Sequence, residues 1–273
     1  MSSEGPPSSA VADLSGRGVL VVGASSGVGQ VFARMAIAAG ADVVVAARRR
    51  QPLEQLVAEA GGGRVVTGDL AKAADCARLG EEAARLLGSI DLVLFSAGVG
   101  PLRKIELQDH SDWTLAFSVN VIGINLVTAA LLPALAPRAI VAVISSEIVG
   151  RPRWGLASYS ASKAALEESM RAWRTEHPEL RFTVIPIGTT IPTDFSNLFD
   201  QDVLLEAFGH WARAGLATEM MQRDDVAASI FHALVVTLST PTSGIEYMVV
   251  RPPSVNTGSP DVFIRGASDN QQL

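Results

Sequence analysis

The chain has little of what several classes of functional site require. Its 273 residues include a single cysteine, Cys76, which excludes a disulfide within the chain and suits a reducing compartment. Its four histidines, His110, His177, His210 and His232, are scattered without the spacing of metal ligands, so we predict no metal site. Acidic residues outnumber basic ones, 28 to 22, and the net charge of −6 disfavours a nucleic-acid partner.

Targeting and membrane signals are also missing. The N-terminus has neither the basic start nor the apolar core of a signal peptide. The longest apolar stretch, residues 121–144, is interrupted by Asn125, Pro133, Pro137 and Arg138. A helix followed by a buried strand explains this stretch better than a membrane span. We therefore expect a cytoplasmic protein with no membrane partner.

No internal repeat or change of composition divides the chain, and its length suits one domain. Short apolar runs alternate with helical patterns, which favours βαβ units. We predict a single-domain α/β fold over residues 14–252, a Rossmann-type doubly wound parallel sheet of about seven strands with helices on both faces. Residues 1–13 are small, polar and proline-bearing, and we expect them to be disordered. Residues 253–273 are expected to form a C-terminal tail.

A glycine-rich turn lies near the N-terminus, in the segment GVLVVGASSGVG. An apolar β-branched run precedes Gly23, Gly27 and Gly29, and a helical pattern follows them. Glycines at such a junction let the backbone approach a pyrophosphate, which the N–H groups at the helix start can bind. The alternative is a tight strand-to-helix turn without a ligand. The predicted cofactor contacts here are Gly23, Ser25, Ser26, Gly27, Val28 and Gly29.

The end of the next strand, in ADVVVAARRR, indicates which dinucleotide is bound. Sites that select NAD place an acid in this region, to bind the ribose 2′-hydroxyl. Ala46 and Ala47 stand there instead, and an arginine after them would pair with a 2′-phosphate. We assign this role to Arg48 and interpret Arg49 and Arg50 as a solvated basic run. NADP(H) is expected in preference to NAD(H).

Tyr159 and Lys163 are four residues apart, so in a helix both would project from one face. Free tyrosine has a pKa of about 10, and a nearby ammonium favours the phenolate. A tyrosine tuned in this way can exchange a proton with a substrate oxygen, which the Ser146 hydroxyl could also hold. Most such pairs merely decorate a solvated helix face. Together with the glycine turn, this pair predicts acid–base chemistry on a carbonyl or carbinol.

With these motifs, nearly the whole sequence resembles the short-chain dehydrogenase/reductase family, in its classical type with GxxxGxG and YxxxK. The resemblance implies that Tyr159 is the proton donor or acceptor and that Ser146 stabilises the substrate oxygen. It implies that Lys163 lowers the tyrosine pKa and binds the nicotinamide ribose hydroxyls. Asn120 would hold a proton-relay water, although it could instead only satisfy backbone groups within a helix. The further cofactor positions that the resemblance implies are Asp69, Leu70, Ser96, Ala97, Gly98, Tyr159, Lys163, Pro186 and Gly188.

Three positions depart from the family pattern. Val22 stands where threonine is usual, and Ser96 replaces an asparagine, which leaves one polar group in place of two. Ile187 separates the usual Pro-Gly pair, and Thr193 arrives one residue late. These changes concern the scaffold and the nicotinamide-side loop and leave Asn120, Ser146, Tyr159 and Lys163 in place.

Substrate choice is expected to depend on the segment after Pro186, because ligands bind beyond the carboxyl ends of the strands in such sheets. Residues 189–221 carry many apolar side chains, and part of the segment is predicted to be a lid. Trp154, Leu156 and residues 99–105 would complete the walls. An apolar lid implies a hydrophobic carbonyl or alcohol as substrate. The alternative is that these side chains only form the core of the lid helices.

A ridge of small residues, Ala161, Ala165, Ser169 and Ala172, accompanies Tyr159 on its predicted helix. The resemblance implies a homodimer or homotetramer packed through this helix, and the alternative is packing within one subunit.

Two other function classes stay open. One is a non-catalytic NADP(H)-binding regulatory or scaffold protein. The other is an epimerase or dehydratase on the same scaffold, which typically has a larger C-terminal domain than this chain.

Overall fold

A computed structural model describes residues 13–197, 199–214, 219–240 and 242–253. The expected disordered segment 1–13 and the expected tail 253–273 lie outside the described residues, apart from Asp13 and Pro253. The part of the predicted lid at Leu198 and residues 215–218 also lies outside them.

The sheet has six parallel strands in the order β3-β2-β1-β4-β5-β6. Strands β2 and β3 lie on one side of β1, and β4, β5 and β6 lie on the other, so the strand order reverses between β1 and β4. Ligands of such sheets bind in the crevice at this reversal. The strands are β1 Gly18–Val22, β2 Asp42–Ala47, β3 Arg64–Thr67, β4 Ile90–Phe95, β5 Leu135–Ser146 and β6 Arg181–Ile187.

Helices cover both faces of the sheet, which confirms the predicted Rossmann-type α/β fold. Two apolar clusters form the core, one under α1, α2 and α8 and the other under α3, α5 and α6. Cys76 is buried in the second cluster. The helices are α1 Gly27–Ala38, α2 Arg50–Ala60, α3 Ala73–Leu87, α4 His110–Phe117, α5 Gly123–Leu131, α6 Ala157–Glu176, α7 Gln201–Arg213 and α8 Arg223–Ser239.

The expected seventh strand, in the segment IEYMVV, pairs with β6 at two isolated bridges only, Val184 with Tyr247 and Ile187 with Val250. Pro186 lies between the bridged positions of β6. Its carbonyl accepts a hydrogen bond from the Val250 N–H at 3.0 Å, but it has no N–H to donate in return. The missing donor interrupts the ladder, so within the described residues the sheet has six continuous strands rather than seven.

The helical stretch His110–Ala134 joins α4 and α5 through a π-helical turn, Ser118–Ile122. By length and composition it is apolar enough to cross a membrane. Its buried side chains, among them Val119, Val127 and Leu131, pack in the core against the sheet. Of its most apolar 18-residue stretch, 44% is buried inside the structure, and β5 follows as the buried strand that the sequence predicts.

A short parallel pair of strands, β7 Thr190–Ile191 and β8 Met221–Gln222, brackets the predicted lid segment. Between them lie a 3₁₀ turn, Asp194–Ser196, and α7. The Asp200 side chain caps α7 by accepting hydrogen bonds from the backbone of Asp202 and Val203. The lid is therefore an insertion that contains α7 and extends from the carboxyl edge of the sheet.

Candidate active site

The glycine turn joins β1 to α1 at the reversal of strand order. Gly23 has a φ of +93°, and a Cβ atom there would lie 2.4 Å from the Ala97 nitrogen. A Cβ on Gly29 would lie 2.6 Å from the Gly23 carbonyl oxygen. Only glycine fits at either position. No side chain caps the start of α1 at Ser26, so its first N–H groups remain available to an anion.

A cleft of about 960 Å³ opens at the carboxyl ends of the strands and joins the glycine turn to the predicted catalytic residues. It has a cofactor half, at Gly23 and Asp69, and a substrate half, at Tyr159 and α7. The structure brings most of the predicted site residues to its walls: Gly23, Ser25, Ser26, Gly27, Val28, Arg48, Asp69, Leu70, Ser96, Ala97, Gly98, Ser146, Tyr159, Lys163 and Gly188.

Asn120, Gly29 and Pro186 are the predicted site residues that do not line the cleft. Asn120 is fully buried, and its Nδ2 donates to the Val99 carbonyl at 2.7 Å and to Ser162 Oγ at 2.9 Å. Its Oδ1 accepts from the Val99 N–H at 2.9 Å. These contacts join the helical turn that carries Asn120 to the loop after β4 and to α6, so they differ from the alternative of satisfying backbone groups within a helix. They leave one lone pair of Oδ1 for a water.

The three departures from the family pattern are accommodated by local packing. Val22 is a buried core residue, and the Ser96 side chain lies directly over Gly29. The carbonyl of Ile187 accepts a hydrogen bond from the Glu147 N–H at 3.0 Å, which ties β6 to the segment after β5. Although Thr193 is one residue late, its methyl group lies against Gly27.

The three arginines after β2 have different surroundings. Arg48 lines the cleft, is exposed, and makes no hydrogen bond or ion pair with the described residues. Arg49 also lines the cleft, and it donates to Ser25 Oγ at 3.2 Å and pairs with Asp194. The expectation of a merely solvated Arg49 is therefore wrong, because the lid segment supplies a carboxylate. Arg50 pairs with Glu54 at 3.5 Å on the surface.

Ser146, Tyr159 and Lys163 meet at the carboxyl end of β5. Ser146 is the last residue of that strand, and the other two lie in the first two turns of α6. The Lys163 Nζ is buried, donates to the Ile144 carbonyl at 2.7 Å and lies 5.9 Å from the centre of the Tyr159 ring. The ring of Phe195, from the lid, lies 4.8 Å from that of Tyr159.

Burial shifts the pKa values of Tyr159 and Lys163. It raises the pKa of Tyr159 to about 12, against the opposing effects of hydrogen bonding to Ser146 and of the Arg153 charge. It lowers the pKa of Lys163 to about 8, against the opposing charge of Glu167. Lys163 was expected to lower the tyrosine pKa, but its ammonium is directed to the Ile144 carbonyl. Tyr159 is consequently protonated at neutral pH.

Sequence reasoning missed Glu167, which lies one turn beyond Lys163 and is almost completely buried. Ser145 donates to its Oε1 at 2.5 Å, so Ser145 is directed away from the role of Ser146, as expected. Burial raises the pKa of the Glu167 carboxyl. The signal that could have identified Glu167 was its position on a predicted core helix, where a carboxylate is unusual.

The substrate half of the cleft has mostly apolar walls. Leu102 and Leu156 lie on one side, and α7 with the preceding turn covers the other. Trp154 was expected in the wall, but it stacks on His210 at 4.7 Å and its carbonyl accepts from Trp211 Nε1 at 3.0 Å. Trp154 therefore packs against α7 outside the cleft. The apolar lid side chains that line the cleft are Ile191, Phe195, Phe199, Val203, Leu204, Phe208, Trp211 and Met220, and polar lid residues such as Asp194 and Asp200 also line it.

Comparison with known proteins gives consistent results. The family model described as short chain dehydrogenase matches residues 17–202. A human protein, dehydrogenase/reductase SDR family member 2, mitochondrial, is 34% identical over 196 residues, which are 68% of this chain and 69% of that protein. Glycine betaine reductase ATRR of Emericella nidulans is 32% identical over 229 residues, which are 81% of this chain but 18% of that protein.

The chain also spans only 53% of 11-beta-hydroxysteroid dehydrogenase A of Sesamum indicum, at 29% identity over 184 residues. Among solved structures, a short chain dehydrogenase from Burkholderia cenocepacia in complex with NADP superimposes with a TM-score of 0.75 at 21% identity, covering 87% of this chain and 97% of that one. A putative betaketoacyl-ACP reductase superimposes with a TM-score of 0.70 at 27% identity, covering 88% and 98%.

Proposed function

Because the chain belongs to the short-chain dehydrogenase family, we propose that it is an NADP(H)-dependent oxidoreductase that interconverts a carbonyl group and an alcohol. One observation carries the proposal. Ser146, Tyr159 and Lys163 meet in the same cleft as the glycine turn, so a substrate oxygen and a dinucleotide can be bound side by side. The test is loss of turnover in Tyr159→Phe with retention of NADPH binding.

The residues of the cofactor half fit a nicotinamide dinucleotide. Gly23 and Gly29 let the turn pack closely on the residues that follow β4, and the uncapped start of α1 offers N–H groups to a pyrophosphate. Asp69 and the buried Leu70 line the end at which an adenine would lie. When bound, the nicotinamide supplies or accepts the hydride.

In carbonyl reduction, Ser146 would donate a hydrogen bond to the substrate oxygen and so fix its position. Tyr159 would donate its proton to the same oxygen as the alcohol forms, since burial keeps the phenol protonated, with a pKa of about 12. In alcohol oxidation the same groups act in reverse, and Tyr159 accepts the proton. Lys163 would contribute positive charge beneath the tyrosine ring and bind the ribose hydroxyls.

The preference for NADP(H) is part of the proposal and depends on Arg48. We expect Arg48→Ala to weaken NADPH binding about 10- to 100-fold, the loss of one charge-assisted contact, while NADH binding changes little. Titration followed by nicotinamide fluorescence measures both. Arg50→Ala is the matched control, because Arg50 pairs with Glu54 outside the cleft. Equal weakening of NADPH and NADH in Arg48→Ala would refute the assignment.

Gly100 is expected to position the catalytic tyrosine. A Cβ atom there would lie 2.8 Å from both Cβ and Cγ of Tyr159, so Gly100→Ala must displace the ring. We expect kcat to fall at least about tenfold with NADPH affinity retained, because small misplacements of a reacting group slow chemistry strongly. Gly62→Ala is the control, since its Cβ would meet only Ile37 at 3.4 Å. Unchanged kcat in Gly100→Ala would contradict the expectation.

We also propose that the protein is a cytoplasmic homodimer or homotetramer. Ala172 is exposed on α6, whereas Ser169 accepts a hydrogen bond from Asn125 Nδ2 at 3.2 Å within the subunit. Only part of the small-residue ridge is therefore used inside one subunit. The exposed Ile122 and Leu126 support the same proposal.

A further inference from the structure

A charged pair interrupts the apolar wall of the substrate half. Arg153 and Glu147 both line the cleft, and their side chains are only 13% and 16% exposed. The Arg153 guanidinium pairs with Glu147 Oε1, donates to Thr189 Oγ1 at 3.0 Å and lies 5.6 Å from the centre of the Trp211 ring. These contacts hold the guanidinium at a defined place in the wall.

The cluster has an excess of positive charge. Glu147 Oε2 also lies 3.9 Å from Arg251 Nε, so one carboxylate serves two guanidinium groups. The other charged groups of the substrate half are occupied elsewhere: Arg103 pairs with Asp112 at 3.0 Å, Asp200 caps α7, and Lys163 donates to the Ile144 carbonyl. The group of Arg153, Arg251 and Glu147 therefore carries a net charge of +1, and Arg153 is the arginine of this group that lines the cavity.

A charge held out of water is costly unless partners compensate it. Glu147 and Thr189 account for two of the five N–H donors of Arg153, which leaves donors for a further acceptor. The charge is also felt at the reacting centre, because Arg153 lowers the pKa of Tyr159. A ligand carbonyl at Tyr159 would thus have a fixed cation within electrostatic reach.

We propose that the substrate carries a carboxylate that Arg153 binds, in addition to the carbonyl that meets Ser146 and Tyr159. This inference rests on the proposed function of the same site. A carboxylate is favoured because its two oxygens match the planar fork of a guanidinium. The apolar body of the substrate would pack on Phe195, Phe199 and Trp211. The expected hydrophobic substrate becomes an amphiphilic oxo acid.

A purely structural role of the pair makes a different prediction. Arg153 could only tie the segment after β5 to Thr189, after β6. Ligand binding would then be insensitive to the charge of the ligand. The experiment has to separate loss of structure from loss of anion recognition.

The binding test uses NADP⁺, because an oxo compound cannot be reduced by the oxidised cofactor and forms a stable ternary complex. The probes are phenyl-substituted 2-, 3- and 4-oxo acids, which vary the carbonyl-to-carboxylate spacing, and their neutral methyl esters. Calorimetric titration of the NADP⁺-saturated wild-type protein measures the dissociation constant of each. We expect at least one acid to bind about 10- to 100-fold more tightly than its ester.

In Arg153→Met, that acid is expected to bind no better than its ester, while the affinity for the ester stays within about threefold. Arg151→Met is the matched control, because Arg151 is an exposed arginine of the same loop outside the cleft. Arg153→Lys keeps the charge without the fork and should retain only part of the preference. Melting temperatures and NADP⁺ affinity report whether each variant is folded.

The proposal is overturned if no acid binds the wild-type protein more tightly than its ester, or if Arg153→Met weakens acid and ester equally. The wild-type comparison decides the matter even where a variant does not fold. Failure of the proposed function looks different, because the wild-type protein would then reduce no carbonyl compound, or reduction would persist in Tyr159→Phe. If reduction depends on Tyr159 but acids and esters bind alike, only the carboxylate site is wrong.

Discussion

Replacement of Tyr159 by phenylalanine is expected to reduce the rate of carbonyl reduction about 10³-fold, within the range attributed to a general acid. The substitution removes only the hydroxyl, so the ring keeps its contacts with Phe195 and Gly100. NADPH affinity should stay within about threefold, since the phosphates would be held at the glycine turn. Steady-state kinetics and a fluorescence titration on the same preparation measure the two quantities.

The chain offers a matched control, because it contains only two tyrosines. Tyr247 is half-exposed, lies outside the cleft and hydrogen-bonds to Glu167. Tyr247→Phe should leave kcat within about threefold of the wild type. A Tyr159→Phe protein that binds NADPH and turns over normally would favour another acid in the cleft. A wild-type protein that binds NADPH without any turnover would favour the regulatory or scaffold alternative.

Lys163→Met is expected to have the second-largest effect on turnover, a loss of about 100-fold or more. The substitution removes the positive charge 5.9 Å beneath the tyrosine ring and the hydrogen bond to the Ile144 carbonyl. The charge should matter most for alcohol oxidation, where Tyr159 must accept a proton and cationic neighbours favour the phenolate. The ratio of oxidation to reduction rates should therefore fall in the variant.

Lys163→Met is expected to gain folding stability although it loses turnover. Burial lowers the pKa of Lys163 from 10.5 to about 8, so the unfolded chain binds a proton more tightly than the folded one. The charged lysine therefore costs stability at and below pH 8, and the cost disappears as pH rises to 10.5. With allowance for one lost hydrogen bond, Lys163→Met should be more stable than the wild type at pH 7 by on the order of 1–2 kcal/mol.

Urea unfolding of both proteins between pH 7 and 10.5 measures the sign of the difference in their free energies of unfolding. The advantage of Lys163→Met should shrink across this window. Lys72→Met, at an exposed lysine outside the cleft, is the matched control. A variant that is less stable than the wild type at pH 7 and equally so at pH 10.5 would contradict the account of a buried charge.

The fold was predictable because its signals are local. Alternating apolar runs and helical patterns identify βαβ units, and the glycine turn marks where the first strand meets its helix. The broken seventh strand was harder. Pro186 is visible in the sequence, but only the register of the sheet shows that its missing N–H faces the outer strand. The prediction of about seven strands was correct about the segment and wrong about its continuity.

The charged contacts of the site could not be predicted in the same way. Arg49 pairs with Asp194, which is 145 residues away in the sequence, and only the folded lid brings the two together. Arg153 and Glu147 are six residues apart, between Ser146 and Tyr159. Their presence in that segment was a usable signal, but whether they face the cavity or the solvent depends on the path of the loop. Asn120 has the expected position and a different set of contacts.

The most direct test of the central claim follows the hydrogen itself. The protein is incubated with NADPH deuterated at C4 of the nicotinamide, in either orientation, and with a panel of apolar ketones, aldehydes and phenyl oxo acids. Mass spectrometry locates deuterium in the products. We expect deuterium at the carbinol carbon from one of the two labelled cofactors, with labelling about 10³-fold slower in Tyr159→Phe. Tight NADPH binding without deuterium in any product would contradict this expectation.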